Sequence, residues 1–508
     1  MAIKREAADY NEKDEIIEFI GNPLIATLPR SIPQADLLES LLMLPPYKNE
    51  DRVADKPVRL DLLSRISTLH IPFNHDLFIS RSISRCINWG YISRNPMSFE
   101  TTAKVMRAHN TDITPQLENY LTRAVFPIYG FSVLGISGVG KSSSVLNALM
   151  RYPKVVDHME YNGVPFHCAQ VVWLKVDCPG DGTPKGLCAA ILRQLDATLG
   201  TSYGSEVSKR TSKDVFTSKV SQCLCSHHLG ILVIDDIQNL CGVKKDASSD
   251  LLSFLIYLME TLAIPVVMVG TPKVLPFFQQ EFQLAKRATG DGTVRLELLA
   301  ENSNEWERFI SGIWTYQFTK ESVKLTPELS NTFFQESVGN PFLCSLLYKL
   351  VQDDAITCGD EGFSINDVKK VAREKLCITA QMRANMLAGR DEELRRYEAL
   401  WAAAAIPPEG PAKKNGANPS KKGTDAITET INYVAQEMVK RYSIGLKQAT
   451  KLATEAVAAK GAESRDVALG FAVKLYEAAL DHKNGEKAQN EEGAPEEEPS
   501  AEGGGEDG

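Results

Sequence analysis

Residues 135–142 read Gly135-Ile-Ser-Gly138-Val-Gly140-Lys141-Ser142, and this stretch decides the fold. A glycine, four further positions and then glycine, lysine and serine in succession make the full pattern of a phosphate-binding loop. The glycines allow the backbone to curl, so that successive N–H groups point toward a phosphate at the N-terminus of a helix. The sequence therefore predicts a strand before this loop and a helix after it.

The flanking residues support this prediction. Phe131-Ser-Val-Leu134 is a short apolar run that indicates a strand, and residues 143–150 indicate the helix. Strand, glycine loop and helix in this order predict a P-loop that binds ATP with Mg²⁺. We expect Lys141 to reach the β- and γ-phosphates and the Ser142 hydroxyl to coordinate the metal. The residues expected to bind the nucleotide are Gly135, Ser137, Gly138, Val139, Gly140, Lys141, Ser142 and Ser143.

Three further apolar runs have the same character. They are Val171-Val-Trp-Leu174, Ile231-Leu-Val-Ile234 and Pro265-Val-Val-Met-Val269, and stretches of helical periodicity separate them. Continuous apolar strands that alternate with helices are typical of a parallel sheet covered on both faces. The sequence thus predicts a doubly wound α/β ATPase core over residues 128–322.

Two carboxylates follow one of these strands directly. Asp235 and Asp236 come straight after Ile234, in the usual position of the magnesium-side acid of P-loop ATPases. We expect Asp235 to hold the metal, directly or through water, and Asp236 to polarise the attacking water. The alternative is a strand end capped by solvated acids. Glutamate is more usual at the second position, so the shorter Asp236 predicts slow hydrolysis.

Two other residues are candidates for the catalytic site. Thr271 follows the strand at 266–270, where a polar side chain commonly contacts the γ-phosphate or the water, although it could also cap a helix before Pro272. Arg287 lies where an arginine from a neighbouring subunit often completes such a site. For Arg287 the alternative is a solvated surface residue.

The rest of the chain divides by composition. Residues 1–127 form a mixed N-terminal region with helices near 35–44 and 77–89, and the helical stretches Pro327–Leu350 and Ile365–Leu376 predict a lid over 323–390. Residues 391–482 predict a helical C-terminal extension, with a helix at 391–405 and a basic linker at 407–423. Residues 483–508 are rich in glutamate, glycine and proline and predict a disordered acidic tail.

Charge and composition limit the classes of function. The net charge is −9, but residues 483–508 hold nine acids and two lysines, which leaves −2 for everything before them. The near-neutral body is therefore compatible with nucleic acid binding.

There is no run of eighteen apolar residues and no apolar segment at the N-terminus, so we expect a cytoplasmic protein. The cluster of Cys223, Cys225, His227 and His228 fits no common zinc spacing, which favours a helix end over a metal site.

Beyond the ATPase motifs, three stretches make the chain resemble the TnsC/TniB family, the AAA+ regulators of DNA transposons with heteromeric transposases. The first is Gly21-Asn-Pro-Leu-Ile-Ala-Thr-Leu-Pro29 and the second is Gly90-Tyr-Ile-Ser-Arg-Asn-Pro96. The third is Leu174-Lys-Val-Asp-Cys178, which Gly182-Thr-Pro-Lys185 follows. Ile234-Asp-Asp-Ile-Gln-Asn-Leu240 and Val269-Gly-Thr-Pro-Lys273 also fit, so that the resemblance extends over about residues 15–320.

This resemblance implies an AAA+ ATPase that oligomerises on duplex DNA as a ring or filament. Members of the family link a target-selection protein (TnsD/TniQ-like) to transposase subunits (TnsA/TnsB-like) and disassemble on hydrolysis. The family commonly has glutamate where this chain has Asp236, which again predicts slow turnover. The candidates for contacts with DNA phosphates are Lys185, Lys209, Arg210 and Lys213, and the alternative is a solvated basic loop.

Two other classes share parts of this pattern. A signalling ATPase of the STAND type would explain the paired acids and the stretch Gly339-Asn-Pro-Phe-Leu343, but it would need a long repeat array, and none follows residue 390. A replication initiator or helicase loader shares the fold, but it usually ends in a winged-helix domain, and residues 407–482 lack the β-hairpin pattern of one. Both alternatives remain open at the level of the sequence.

Overall fold

The computed structural model describes most of the chain up to Leu387. The described residues are 5–13, 15–108, 112–123, 128–205, 212–242, 245–275 and 290–387, together with 434, 451, 452 and 454. The chain divides into two compact units, Met1–Glu409 and Gly410–Gly508, and the elements below belong to the first unit. The expected helix at 391–405, the linker at 407–423 and the acidic tail lie outside the described residues.

The strands, in chain order, are β1 (Arg5–Ala7), β2 (Phe131–Gly135), β3 (Val155–Tyr161), β4 (Val164–Val171), β5 (Trp173–Asp177), β6 (Ile231–Asp235), β7 (Val266–Gly270) and β8 (Thr293–Leu296). The α-helices before β7 are α1 (Pro23–Ala26), α2 (Gln34–Leu41), α3 (Lys56–Leu62), α4 (Asn74–Ile92), α5 (Phe99–Ala108), α6 (Pro115–Arg123), α7 (Lys141–Met150), α8 (Pro184–Leu199), α9 (Lys213–Ser226) and α10 (Lys245–Glu260). The later ones are α11 (Asn304–Trp314), α12 (Pro327–Ser337), α13 (Pro341–Cys358), α14 (Ile365–Lys375) and α15 (Ala380–Leu387). Short 3₁₀ turns occupy Ile17–Phe19, Asn49–Val53, Leu63–Thr68, Ile237–Gly242, Pro272–Val274 and Cys377–Thr379.

The central sheet has five parallel strands in the order β5-β6-β7-β2-β8. Asp235 pairs in register with Asp177, and Leu134 pairs with Gly270. Because all five strands are parallel, their carboxyl ends lie along one edge of the sheet. The residues that follow β2, β6 and β7 are therefore brought together at that edge, as the α/β prediction requires.

Strands β2, β5, β6 and β7 each contribute residues to two different hydrophobic cores, one on each face of the sheet. In β6, Leu232 and Ile234 pack with helices α8, α9 and α10, whereas Ile231 and Val233 pack with α1, α2, α4 and α7. Since side chains of a strand point alternately to the two faces, a sheet with helices on both faces needs an unbroken apolar run. This confirms the doubly wound α/β class predicted from the sequence.

A second, three-stranded sheet was not predicted. It has the order β1-β3-β4, in which β1 lies parallel to β3 and β3 pairs antiparallel with β4. Asn162 and Gly163 connect β3 to β4 with φ of 49° and 78°, which is the left-handed pair that a tight hairpin turn needs. The predicted strand Val171–Leu174 was wrong as a single element, because β4 ends at Val171 and β5 begins at Trp173.

Two of the stretches that carry the family resemblance meet in the fold. The Asn22 side chain is buried, and its Nδ2 donates a hydrogen bond of 2.9 Å to the carbonyl of Tyr91. The amide of Asn95 donates to the carbonyl of Gly21 at 3.2 Å. The Tyr91 hydroxyl in turn donates to the carbonyl of His228, just before β6, at 2.8 Å. We call residues 21–29 and 90–96, held together in this way, the N-terminal joint.

Helices α11 to α14, which we call the lid and which extend the predicted lid (323–390) back to α11, pack around a core that also takes Leu63, Ile66, Ile71 and Phe73 from the N-terminal region. The predicted single helix Pro327–Leu350 was wrong, since α12 ends at Ser337 and α13 begins at Pro341. Val338 adopts a left-handed φ of 57° and Asn340 caps α13 with a proline in its first turn, so the chain turns sharply here. Among the helices of the described residues, none is both long and apolar enough to span a membrane.

Candidate nucleotide-binding site

The loop between β2 and α7 has the backbone that its glycines predict. Gly138 and Gly140 have φ of 84° and 96°, in the left-handed region that glycine tolerates best, and Gly140 is the N-cap of α7. The Lys141 ammonium donates to the carbonyl of Ile136 at 2.7 Å, across the mouth of the loop. Burial lowers the pKa of Lys141, and the carboxylates of Asp235 and Asp236 oppose that shift. The site therefore presents backbone N–H groups and one cation to a bound anion.

The carboxylate of Asp235 already has a counter-charge within the fold. Asp235 is 4% exposed at the end of β6, and the Lys175 ammonium of β5 lies 2.7 Å from its Oδ2. Its Oδ1 accepts from the backbone N–H of Asp236 at 3.0 Å. A buried carboxylate needs such partners because an unpaired charge is costly away from water. Lys175 was part of a quoted stretch, but no role was predicted for it.

Asp236 and Thr271 are linked through a residue that sequence reasoning missed. The amide of Gln238 donates to Asp236 Oδ1 at 2.9 Å, and its oxygen accepts from the backbone N–H of Thr271 at 3.0 Å. Asp236 itself has a left-handed φ of 54° and an exposed side chain. These two hydrogen bonds, which we call the Gln238 relay, connect the ends of β6 and β7. The only sign of this role in the sequence is the position of Gln238, two residues after Asp236.

The lid touches the phosphate-binding loop through Asn340. Its Nδ2 donates to the carbonyl of Ser137 at 3.1 Å, while its Oδ1 accepts from the N–H groups of Phe342 and Leu343. A Cβ on Gly138 would lie 2.7 Å from Asn340 Oδ1, so a side chain there would push the lid away. In the sequence, Asn340 can be identified as a helix cap because it precedes a proline at a helix start. Its contact with Ser137 could not be predicted, because the two residues are 203 positions apart.

Replacing Asn340 with aspartate should separate these two contacts. Aspartate keeps the oxygen that caps α13, and its charge favours the helix N-terminus. It cannot donate to Ser137, and it places a carboxylate against a carbonyl oxygen. We therefore expect the free energy of unfolding to fall by about 1–2 kcal/mol, as measured by urea denaturation. An Asn340→Ala control, which also loses the cap, should lose more, and Asn340→Asp at wild-type stability would contradict the contact.

A cavity of about 380 Å³ adjoins the loop. Its walls come from the segment at 66–71, from the phosphate-binding loop and α7, and from the lid helices α11 and α13. Gly138, Gly140, Ser143 and Asn147 line the loop side, and Phe309 and Phe342 line the lid side. A cavity with apolar walls next to an anion-binding loop can hold a planar base attached to a phosphate chain.

The side chains present fit Mg²⁺. This ion prefers hard oxygen ligands and usually takes one or two from protein, as the Ser142 hydroxyl and the Asp235 carboxylate could supply. In addition, Thr271 Oγ1 is buried at the same sheet edge with no hydrogen-bond partner in the described part of the chain. A buried hydroxyl without a partner indicates room for a ligand oxygen or a water there.

The structure places the other predicted residues as follows. Val139 is buried, whereas Ser137, Ser142 and Ser143 are exposed on the loop and on α7. Lys185 is the second residue of α8, and its ammonium lies 5.4 Å from the ring centroid of Phe216. Lys213 is the first residue of α9, and Lys209, Arg210 and Arg287 lie outside the described residues. Cys223 lies in α9, and the described part of the chain holds no cluster of three or more His, Cys, Asp or Glu side chains able to hold a metal ion.

Comparison with known proteins supports this reading of the core. Residues 130–278 match the family model described as "AAA domain". No curated protein matches the chain. With the P-loop and the parallel sheet, the match shows that the chain carries an AAA-type ATPase domain, which binds nucleotide and hydrolyses ATP.

Several solved structures are similar in fold. A Walker-type ATPase of Pyrococcus abyssi shares 14% identity, with a TM-score of 0.32, over 66% of this chain and 87% of that one. The Drosophila ORC structure bound to DNA shares 13%, with a TM-score of 0.33, over 68% and 73%. Cdc6p from Pyrobaculum aerophilum shares 14%, with a TM-score of 0.35, over 58% and 79%. Likeness at this level describes the fold alone.

Proposed function

We propose that this chain is an ATP-dependent regulator of DNA transposition that resembles the TnsC/TniB family. It assembles on duplex DNA when ATP is bound, bridges a TnsD/TniQ-like target selector to TnsA/TnsB-like transposase subunits, and disassembles on hydrolysis. The observation that carries this proposal is the N-terminal joint. It joins two of the stretches that distinguish the TnsC/TniB family from other ATPases with the same motifs. Asn22 and Asn95 form the hydrogen bonds between these stretches, and Tyr91 bonds to the residue His228 just before β6.

The chemistry is divided among the residues at the sheet edge. The loop amides and Lys141 would bind the β- and γ-phosphates, and Ser142 and Asp235 would hold Mg²⁺. Bound Mg²⁺ would neutralise charge on the phosphate oxygens. Asp236 accepts a proton from the attacking water, and the Gln238 relay fixes its carboxylate relative to Thr271. Lys175 pairs with the Asp235 carboxylate at 2.7 Å and holds it in place.

Nucleotide state reaches the rest of the molecule through the lid. Asn340 bonds directly to the loop that binds the phosphates, so a change in that loop changes the support of α13. A ligand can shift a conformational equilibrium only through contacts that differ between the two states. ATP at a subunit boundary, completed by Arg287 of a neighbouring copy, supplies such contacts, and the loss of its terminal phosphate removes them.

The DNA contacts proposed are Lys185, Lys209, Arg210 and Lys213. Two of these lie at helix starts: Lys185 is the second residue of α8, and Lys213 is the first residue of α9. Contacts of this kind bind phosphates without reading bases, so we expect affinity for duplex to fall steeply with salt and to depend little on sequence.

Substitution of Asp236 by asparagine tests the hydrolytic part of the proposal. If Asp236 accepts the proton of the attacking water, ATP turnover should fall by about 100-fold or more while ATP binding persists. Assemblies on DNA should then outlast those of the wild type. The matched control is Asp177→Asn, an exposed acid at the end of neighbouring β5. A turnover rate equal to that of the wild type removes Asp236 from the mechanism.

The whole proposal is tested by microscopy. The protein is mixed with duplex DNA and either a non-hydrolysable ATP analogue or ADP, and negatively stained. We expect rings or filaments with the analogue and duplex only. Filaments with ADP, or none with duplex and ATP, would contradict the proposal. Binding of purified transposase subunits encoded beside this gene separates it from a replication initiator, which would show no such binding.

A further inference from the structure

The cavity beside the phosphate-binding loop has one titratable side chain in its N-terminal wall. This is His70, whose side chain is 12% exposed. Its backbone is fixed, because its N–H and carbonyl both pair with Met43 at 3.0 Å. The backbone of His70 is therefore anchored at the wall of the cavity beside the phosphate-binding loop.

Behind His70 lies a buried acid. Asp76, in the first turn of α4, is 0% exposed, and its Oδ2 accepts from the backbone N–H of Phe73 at 2.7 Å. Its Oδ1 faces His70 Nε2 at 3.3 Å. Both of these atoms are buried, and neither has an aligned hydrogen-bond partner in the described part of the chain. Burial alone would raise the pKa of Asp76, but His70, His75 and the Phe73 amide together hold it below its ordinary value.

A charged carboxylate at this position determines which nitrogen of the imidazole carries the proton. Asp76 can only accept, so in the neutral form of His70 the hydrogen lies on Nε2, toward Asp76, and Nδ1 is an acceptor. Nδ1 is then the nitrogen available to a ligand in the cavity. An acceptor there suits the exocyclic amino group of adenine and opposes the carbonyl oxygen that guanine has at the same ring position.

We propose that His70, oriented by Asp76, selects adenine over guanine nucleotides at this site. The inference rests on the proposed binding of nucleotide at Lys141, and it adds the choice of base. Both purines are similar in size, so the cavity walls alone would discriminate weakly. The orientation of one hydrogen bond supplies the difference, because guanine would leave two acceptors facing each other without a proton.

Asparagine at position 76 gives the sharpest test. Its oxygen can still accept from Phe73, and its amide NH₂ then donates to His70 Nε2. This moves the imidazole hydrogen to Nδ1, which becomes a donor and now suits guanine. We expect the wild type to prefer ATP over GTP by about 10- to 100-fold. In Asp76→Asn this ratio should fall at least about 10-fold or invert, because one hydrogen bond has changed direction.

The measurement is competition of ATP and GTP against a fluorescent ATP analogue on the full chain, with folding checked by circular dichroism. His70→Ala should reduce the ratio through weaker ATP binding. His75→Ala is the matched control, since His75 lies 3.5 Å from the same carboxylate but outside the cavity wall, and it should keep the wild-type ratio.

Each result decides the inference. An unchanged ratio in folded Asp76→Asn and folded His70→Ala would overturn it, and His70→Ala alone decides if Asp76→Asn does not fold. Equal wild-type affinities for ATP and GTP would overturn the base selection while the phosphate site stands. A wild type that binds neither nucleotide would overturn this inference and the proposed function together.

Discussion

Replacement of Lys141 by alanine is expected to weaken ATP binding by about 1,000-fold, which corresponds to about 4 kcal/mol. The physical reason is the loss of two charge-assisted hydrogen bonds to phosphate, each contributing about 1.5–3 kcal/mol. The loop amides remain, so the fold should be preserved. Calorimetric titration with ATP and Mg²⁺ measures the change directly, and nucleotide-dependent assembly on DNA should disappear with it.

The control for this prediction is Lys324→Ala. Lys324 is an exposed lysine on the lid side of the chain, and its removal changes the net charge equally. It should bind ATP as the wild type does. Unaltered assembly of folded Lys141→Ala would show that nucleotide does not control the oligomer, and the switch model would then be wrong.

The second large effect is expected at Asp235. Asparagine there removes a metal ligand and leaves the half-buried Lys175 facing a neutral group, so ATP turnover should fall by about 1,000-fold. Because magnesium would lose its charged ligand, the residual ATP turnover should respond little to a magnesium titration. The check is steady-state phosphate release at a series of magnesium concentrations.

Lys175→Ala provides the matched comparison for that experiment. It removes the counter-charge 2.7 Å from Asp235 but leaves the carboxylate in place. ATP turnover by Lys175→Ala should therefore still depend on magnesium. The magnesium concentration at half-saturation should be lower than in the wild type, because no ammonium competes with the ion for Asp235 Oδ2. If Lys175→Ala abolishes the magnesium response and Asp235→Asn does not, the assignment of the metal ligand is wrong.

The parts of the site predicted from the sequence are those fixed by short stretches. The loop at 135–142 carries its own glycines at the positions that need a left-handed φ, and the strand before Asp235 is apolar throughout because helices cover both faces. These local requirements leave a pattern in the chain. The α/β core was predictable for this reason.

The missed features depend on pairs of residues far apart in sequence. Asn340 reaches Ser137, and the backbone of His70 pairs with that of Met43. The three-stranded sheet brings β1 from the N-terminus to β3, which no local pattern indicates. The break at Val338–Asn340 was visible as glycine before Asn-Pro, but the apolar periodicity continued through it and favoured one helix.

The account rests on ATP binding at the loop that follows β2, and calorimetry of the wild-type chain tests this most directly. The protein, shown to be folded by circular dichroism, is titrated with ATP in the presence of Mg²⁺. The account predicts heat of binding that saturates at one nucleotide per chain and is lost in Lys141→Ala. A folded wild type that gives no heat with ATP and Mg²⁺ would contradict it.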